Sequence, residues 1–172
     1  MEIDRDRSAL IERAMGVEGD LVRPRFERGC RCFAVVLDGV VAGYGWLSTG
    51  PEWIGELQVE IKPRQAEGYI WNCVTLAEHR QQGVFRSLLA GMAEAGRHAG
   101  LKRLWIGSVA IPAEKALAPL GFRPATRFRA LTIAGLHLMR VSSVDSALGG
   151  ESLRVLSVGP GLLMRGTTRR RH

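Results

Sequence analysis

Cysteine is scarce: Cys30, Cys32 and Cys73 are the only three in 172 residues. An odd, low count builds no disulfide framework and fits a reducing compartment, so a cytoplasmic location is expected. Histidine is nearly as rare, with four. No Cys/His spacing matches a zinc site, and the Cys30–Cys32 pair lacks the further ligands a metal needs, so no metal is expected. Apolar runs are short. None approaches the ~18 residues of a membrane span, and the opening MEIDRDRSALIER has no apolar stretch of the kind a secretory leader uses. Two phosphate-binding signatures are missing as well: GxxxxGK followed by Ser or Thr, and GxGxxG. No internal repeat is visible.

What is present reads as one globular domain. Hydrophobic residues make up 46% and charged residues 24%, and a chain of this length buries roughly 70% of its extended surface. The formal net charge is +7, which attracts anions without choosing among nucleic acid, acidic membrane and phosphorylated small molecules. Beyond residue 141 five arginines (Arg154, Arg165, Arg169, Arg170, Arg171) face only Asp145 and Glu151. Residues 1–141 are therefore expected to form the domain. Residues 142–172 form a basic extension with glycine-rich joints at Gly149, Gly150, Gly159 and Gly161, a short added strand over Leu153–Val158, and a solvated arginine end.

Periodicity orders the elements. Residues 4–15 and about 18–28 read as two short helices, the second interrupted by Pro24. Cys32–Leu37 and Val40–Leu47 flank Asp38-Gly39, a strong hairpin signal, and Gly43 and Gly45 mark a bulge or a close backbone approach. Glu56–Ile61 alternates as a half-buried strand, and Tyr69–Leu76 is apolar on both faces as a central strand should be. Gly83–Ala99 carries a helical stripe of Val84, Leu88, Met92 and Ala95. A strand over 101–109, a short helix from Pro112 to about Leu120, and strand-like stretches at 122–131 and 132–141 follow. Strand, helix and strand from Tyr69 to Val109 predict a right-handed parallel crossover inside an otherwise antiparallel α/β arrangement.

The informative segment is Val74-Thr75-Leu76-Ala77-Glu78-His79-Arg80-Gln81-Gln82-Gly83-Val84-Phe85-Arg86. A central strand ends, a polar loop follows, and a long helix opens at a glycine. Unpaired amides at a helix start carry partial positive charge. A glycine there lets a phosphate approach the backbone, and Arg80 and Arg86 add full charges. Together they make a diphosphate cradle. Arg80-Gln81-Gln82-Gly83-Val84-Phe85 resembles the pyrophosphate loop Q/R-x-x-G-x-G/A of the GNAT acetyltransferase superfamily. The element order from about Cys30 to Val141, with Leu120-Gly121-Phe122 downstream, is similar too.

The resemblance implies a mixed, mostly antiparallel α/β sheet with a splayed parallel pair, flanked by helices. No stretch ahead of the first helices reads as a strand, so the family's first strand is expected to be missing. Cys73, Val74, Thr75 and Leu76 would hold the pantetheine arm of acetyl-CoA. Arg80, Gln81, Gln82, Gly83, Val84, Phe85 and Arg86 would hold its pyrophosphate. The thioester would lie between Leu76 and the Ile106–Ser108 segment, where an amine attacks it directly. The family often has Gly or Ala at the position of Phe85. Its frequent Asn falls on Ala110, and its frequent Tyr, the acid that protonates the leaving thiolate, falls on Leu117. Ser108, Cys73 or water would have to serve instead, or nothing protonates the leaving thiolate.

An alkyl amine is mostly protonated near pH 7, so a base helps it attack. Glu56 and Glu60, four residues apart on one strand face, are the candidates, with a solvated face as the competing reading. Glu78 and His79 read as loop residues, Cys73 as an inert buried thiol, and Trp71 and Trp105 as core. Trp46 and Trp53 read as core, rim or pocket wall. The expected function is acetyl transfer from acetyl-CoA to a small-molecule primary amine. A non-catalytic CoA-binding sensor or scaffold of the same fold is the alternative. A nucleic-acid module ranks last, because no aromatic-rich basic strand is present. The 122–141 hairpin offers a surface on which a homodimer could pair.

Overall fold

A computed structural model describes residues 1–108, 111–133 and 136–166. By compactness the chain divides into two units, Met1–Pro51 with Pro63–Phe122, and Glu52–Lys62 with Arg123–His172.

The first unit is organised by a five-stranded sheet. In spatial order it contains β1 (Glu2–Ile3), β2 (Arg31–Leu37), β3 (Val40–Ser48), β6 (Glu67–Thr75) and β7 (Arg103–Ile106). The first three pairings are antiparallel and β6–β7 is parallel. The Asp38-Gly39 turn has φ of 49° and 80°, the doubly positive pattern that matches strand twist in a two-residue hairpin. One face of the sheet is covered by α1 (Ser8–Met15) and α2 (Val22–Glu27). Ile11, Met15, Val22 and Phe26 pack there with Ile3, Cys32, Tyr44 and Trp46. The other face carries α3 (Val84–His98) and α4 (Ile111–Leu117), where Leu88, Leu89, Met92 and Leu117 pack with Phe33, Leu47 and Ile70. The sheet is thus buried on both faces, which explains why β6 reads as a continuous apolar run.

The second unit contains the hairpin β4 (Glu52–Ile54) and β5 (Val59–Ile61). It also contains an antiparallel sheet in which β9 (Leu136–Ser143) lies between β8 (Thr126–Ile133) and β10 (Gly161–Gly166). A helix, α5 (Ser146–Val155), is capped by Asp145, whose carboxylate accepts from the N–H groups of Ala147 and Leu148 at 2.9 and 2.8 Å.

Several expectations are corrected. The first strand is present as β1, but two residues are too short for any periodicity to show. The strand expected from Glu56 begins only at Val59. Residues 55–58 form a turn with Gln58 at φ 51°, so the apparent alternation across Glu56-Leu57-Gln58 belongs to a turn. Among the described residues the strand expected over 101–109 is confined to β7, residue 109 lying outside them, and the last hairpin is shifted to 126–133 and 136–143. The added strand over Leu153–Val158 is replaced by the end of α5, and Gly149 and Gly150 lie inside that helix. Its capping aspartate outweighs the low helical propensity of glycine. β9 runs through residue 141, so the expected extension starts inside a strand. Arg169, Arg170, Arg171 and His172 lie outside the described residues.

Candidate active site

The parallel pair opens partway along its length. β6 and β7 pair from Glu67↔Arg103 to Ile70↔Ile106, and there the pairing ends. β6 continues five residues further, to Thr75, still paired on its other edge through Gly43↔Thr75. Leu76 N–H donates to Ala42 O at 2.9 Å. Strand alternation therefore turns the N–H and C=O of Thr75 toward the edge that β7 leaves. A bulge accompanies the opening: Tyr44 faces Val74 but Trp46 faces Trp71, and Asn72 takes φ 44°. The extra residue bends β6 where it parts from β7. Opposite the bulge, Gly45 is required by space, since a Cβ there would sit 2.7 Å from Cys73 Sγ. The Trp71–Leu76 stretch is half-buried.

The closed end of the pair is pinned. Glu67 accepts from Trp105 Nε1 at 2.9 Å, from Arg103 Nη1 at 3.3 Å and from Arg64 N–H at 3.2 Å. Burial raises its carboxyl, but these hydrogen bonds together hold it below the ordinary 4.5.

Beyond β6 a 3-10 turn over Ala77–His79 leads to the loop. Gln81 has φ 62° and Gly83, the N-cap of α3, has φ 78°. Left-handed residues alternating with others in a short loop turn successive N–H groups to one side, forming a concavity for anions. The first bond of the helix runs from Ser87 N–H to Gly83 O at 3.0 Å. The N–H groups of Gln81, Gln82, Gly83, Val84, Phe85 and Arg86 have no hydrogen-bond partner among the described residues. Arg80, Gln81, Gln82, Gly83 and Arg86 are exposed, Phe85 is half-buried, and Val84 is buried in the helix stripe. The Gln82 side chain donates to Glu78 O at 3.2 Å and braces the turn.

The sequence-based site residues thus fall into two groups. Cys73, Val74, Thr75 and Leu76 line the open edge, and Arg80 to Arg86 form the loop directly after it. Burial pushes the Cys73 thiol up to about 12, so it is no thiolate near neutrality. The Thr75 hydroxyl is buried without a hydrogen-bond partner among the described residues. The catalytic candidates lie on other elements. Glu56 is exposed in the β4–β5 turn, and Glu60 is exposed on β5 and paired with Lys62 Nζ at 3.0 Å. They share no strand face, because Glu56 is not in a strand, and both belong to the second unit. Ser108 is exposed two residues beyond the end of β7. Leu117 is buried against the α3 face of the sheet and supplies no acid. Ala110 lies outside the described residues.

One cluster escaped the sequence reading. Arg25 of α2 is only 6% exposed. Its guanidinium carbon lies 4.5 Å from the ring centroid of Trp71 and 5.2 Å from that of Trp46. With the amide of Asn72, the bulge residue, turned so that its oxygen faces the guanidinium, that oxygen accepts from both Arg25 Nη atoms at 3.0 Å. Nη1 also approaches Met15 Sδ at 3.8 Å. A signal existed: Val22, Arg25 and Phe26 have the i, i+3, i+4 spacing of one helix face, so a buried stripe through Val22 and Phe26 takes Arg25 with it.

The model of the acetyltransferase (GNAT) family matches residues 6–122. No curated protein matches the sequence. Among solved structures, a Trypanosoma brucei acetyltransferase is similar at 17% identity and TM-score 0.56, over 77% of this chain and 97% of that one. The aminoglycoside N-acetyltransferase AAC(6')-Iy in complex with CoA is similar at 16% identity and TM-score 0.57, over 77% and 92%. A ribosomal-protein-alanine N-acetyltransferase from Brucella melitensis biovar Abortus 2308 shows 12% identity and TM-score 0.55, over 77% and 95%. At such identities the likeness shows the fold alone. Two neighbours named for different acceptors match about equally well.

Proposed function

Because this chain belongs to the GNAT acetyltransferase family, we propose that it transfers an acetyl group from acetyl-CoA to a primary amine of a small molecule, in the cytoplasm, by direct attack in a ternary complex. The observation that carries the reading is the end of β6–β7 pairing at Ile70↔Ile106, followed along the chain by a loop whose amides have no partner among the described residues. The open edge of β6 supplies backbone groups at Thr75 for the amides of a pantetheine arm. The Gln81–Arg86 amides suit the pyrophosphate oxygens, with Arg80 and Arg86 adding charge. In the reaction the amine nitrogen forms a bond to the acyl carbon, the carbon–sulfur bond breaks, and the thiolate leaves. The amine sheds a proton and the thiolate gains one.

The base role is assigned to Glu56 or Glu60 acting through water, and the acid role to Ser108 or water, since Leu117 has no proton to give. Variants Glu56→Gln, Glu60→Gln and Ser108→Ala distinguish these. Loss of the true base lowers kcat and shifts its dependence on pH, whereas a spectator leaves both unchanged.

Isothermal titration of the folded protein with acetyl-CoA tests the reading. Saturable micromolar binding is expected; no heat at millimolar ligand overturns it. A second reading, a CoA-binding sensor without turnover, is favoured by the apolar Leu117 alone. Mass-spectrometric acetyl transfer to any member of a broad amine panel removes it.

A further inference from the structure

We infer that Arg25 reads a carboxylate on the acceptor, so that the amine acetylated here is an amino acid or a similar carboxylate-bearing amine. This rests on the acetyl-transfer reading above.

Three observations carry it. The first is a buried cation without a counterion. Arg25 is almost fully buried, and no carboxylate lies within 4.0 Å of it among the described residues. Glu18, which exerts an attraction on it, is exposed. Burial pulls the guanidinium below its ordinary value, which is the signature of a charge that its surroundings do not repay. Stacking on Trp46 and Trp71 offsets part of that cost.

The second is a surplus of donors. A guanidinium has five N–H groups and an indole one, and none of them accepts. Against these donors the cluster offers the Asn72 oxygen and the weak acceptor Met15 Sδ. Trp46 Nε1 and Trp71 Nε1 are buried with no hydrogen-bond partner among the described residues. A buried group of donors that outnumbers its acceptors suits an oxyanion. The planar edge of a guanidinium fits a carboxylate through paired hydrogen bonds.

The third is place. Asn72 and Trp71 follow directly on Ile70, the last residue of β6 paired to β7. The cation therefore sits where the strands part, on the sheet face covered by α1 and α2. The Trp71–Leu76 stretch beside it is half-buried rather than sealed. Since α3 packs against the other face, the acceptor in this proposal approaches on the face of Arg25.

The test compares acceptors that differ by one carboxylate: phenylalanine with phenethylamine, lysine with cadaverine, glycine with methylamine. Phosphoethanolamine with ethanolamine is added to separate carboxylate from phosphate. Transfer is followed by thiol release from acetyl-CoA, and binding to the CoA-loaded protein by saturation-transfer NMR. The wild type is expected to favour the carboxylate member of at least one pair by about 10- to 100-fold, the range of a hydrogen-bonded charge. Arg25→Met should abolish that ratio and Arg25→Lys should retain part of it, with circular dichroism checking the fold. If neither variant folds, the wild-type ratio decides. No carboxylate preference in the wild type overturns the inference, and so does a preference that persists in Arg25→Met. Preference for phosphate alone overturns the carboxylate assignment. In each of these cases intact acetyl-CoA binding leaves the acetyltransferase reading standing. Failure to bind acetyl-CoA overturns both.

Discussion

Gly83 shows how one residue separates stability from binding. At φ 78° an L side chain is strained, yet a Cβ built there meets nothing within 4 Å. Gly83→Ala should therefore cost about 1–2 kcal/mol of stability from the backbone alone, read as a lower denaturant midpoint at unchanged slope. Gly83→Glu adds little further strain but places a carboxylate among the amides. It should fold and lose acetyl-CoA affinity by tenfold or more in the titration; unchanged affinity would remove the phosphate loop from the site. Glu67 shows the reverse case, a residue that touches no ligand in this scheme but holds the closed end of the splay. Its carboxyl is depressed below 4.5, so the stabilisation it gives is complete above the unfolded value. That stabilisation is lost as pH falls through the lower folded value. Glu67→Gln should lower the thermal midpoint at pH 7, and the gap between variant and wild type should narrow in acid. A gap that does not change between pH 7 and pH 3 contradicts the assignment. The Gly83 turn could be read from residue type and spacing, because glycine before an amphipathic run has few other uses. The Arg25 cluster could be read only in part. The i, i+3, i+4 spacing of Val22, Arg25 and Phe26 puts the arginine on a buried stripe, but an arginine in a helix is ordinarily solvated, and nothing in the spacing announces the β6 bulge that brings Asn72 to it.

At the scale of elements, β3, β6 and α3 meet at one crowded point. A Cβ at Gly45 would lie 2.7 Å from Cys73 Sγ and 3.3 Å from both Leu88 Cδ2 and Met92 Sδ. Gly45→Ala should destabilise by about 1–3 kcal/mol through overpacking. Cys73→Ala removes the closest of these atoms, so the double variant should be more stable than the sum of the two single costs predicts. Urea melts of the four proteins give the coupling, and strict additivity would mean that the sulfur is not the obstacle. The elements that could be recognised in the sequence are those long enough for a period to repeat, such as β2, β3, β6 and α3. Those that could not are short or contradictory. β1 has two residues, the turn at 55–58 imitates alternation, and α5 holds two glycines yet forms behind its Asp145 cap. For the same reason the shared strand face expected of Glu56 and Glu60 does not form: four residues of spacing put them on one face only if the chain between them is extended.

At the scale of the molecule, charge and ligand act together. The chain carries +7, and two of its exposed cations, Arg80 and Arg86, flank the phosphate loop. A ligand as anionic as acetyl-CoA should gain part of its affinity from long-range attraction, and salt should remove that part. The dissociation constant should therefore rise steadily from low to high ionic strength. Arg80→Gln and Arg86→Gln should each flatten that dependence, while amide contacts to the pyrophosphate persist at high salt. Ligand binding should also be felt in stability. A ligand at 100 times its dissociation constant stabilises the folded state by about 2.7 kcal/mol, which for a chain of this size raises the melting temperature by roughly 5–10 °C. Calorimetric scans with and without acetyl-CoA measure the shift, and Gly83→Glu under the same conditions should show little of it. A full shift in that variant would mean that the ligand binds somewhere other than the loop ahead of α3, and the assignment of the Gln81–Arg86 amides would have to be withdrawn.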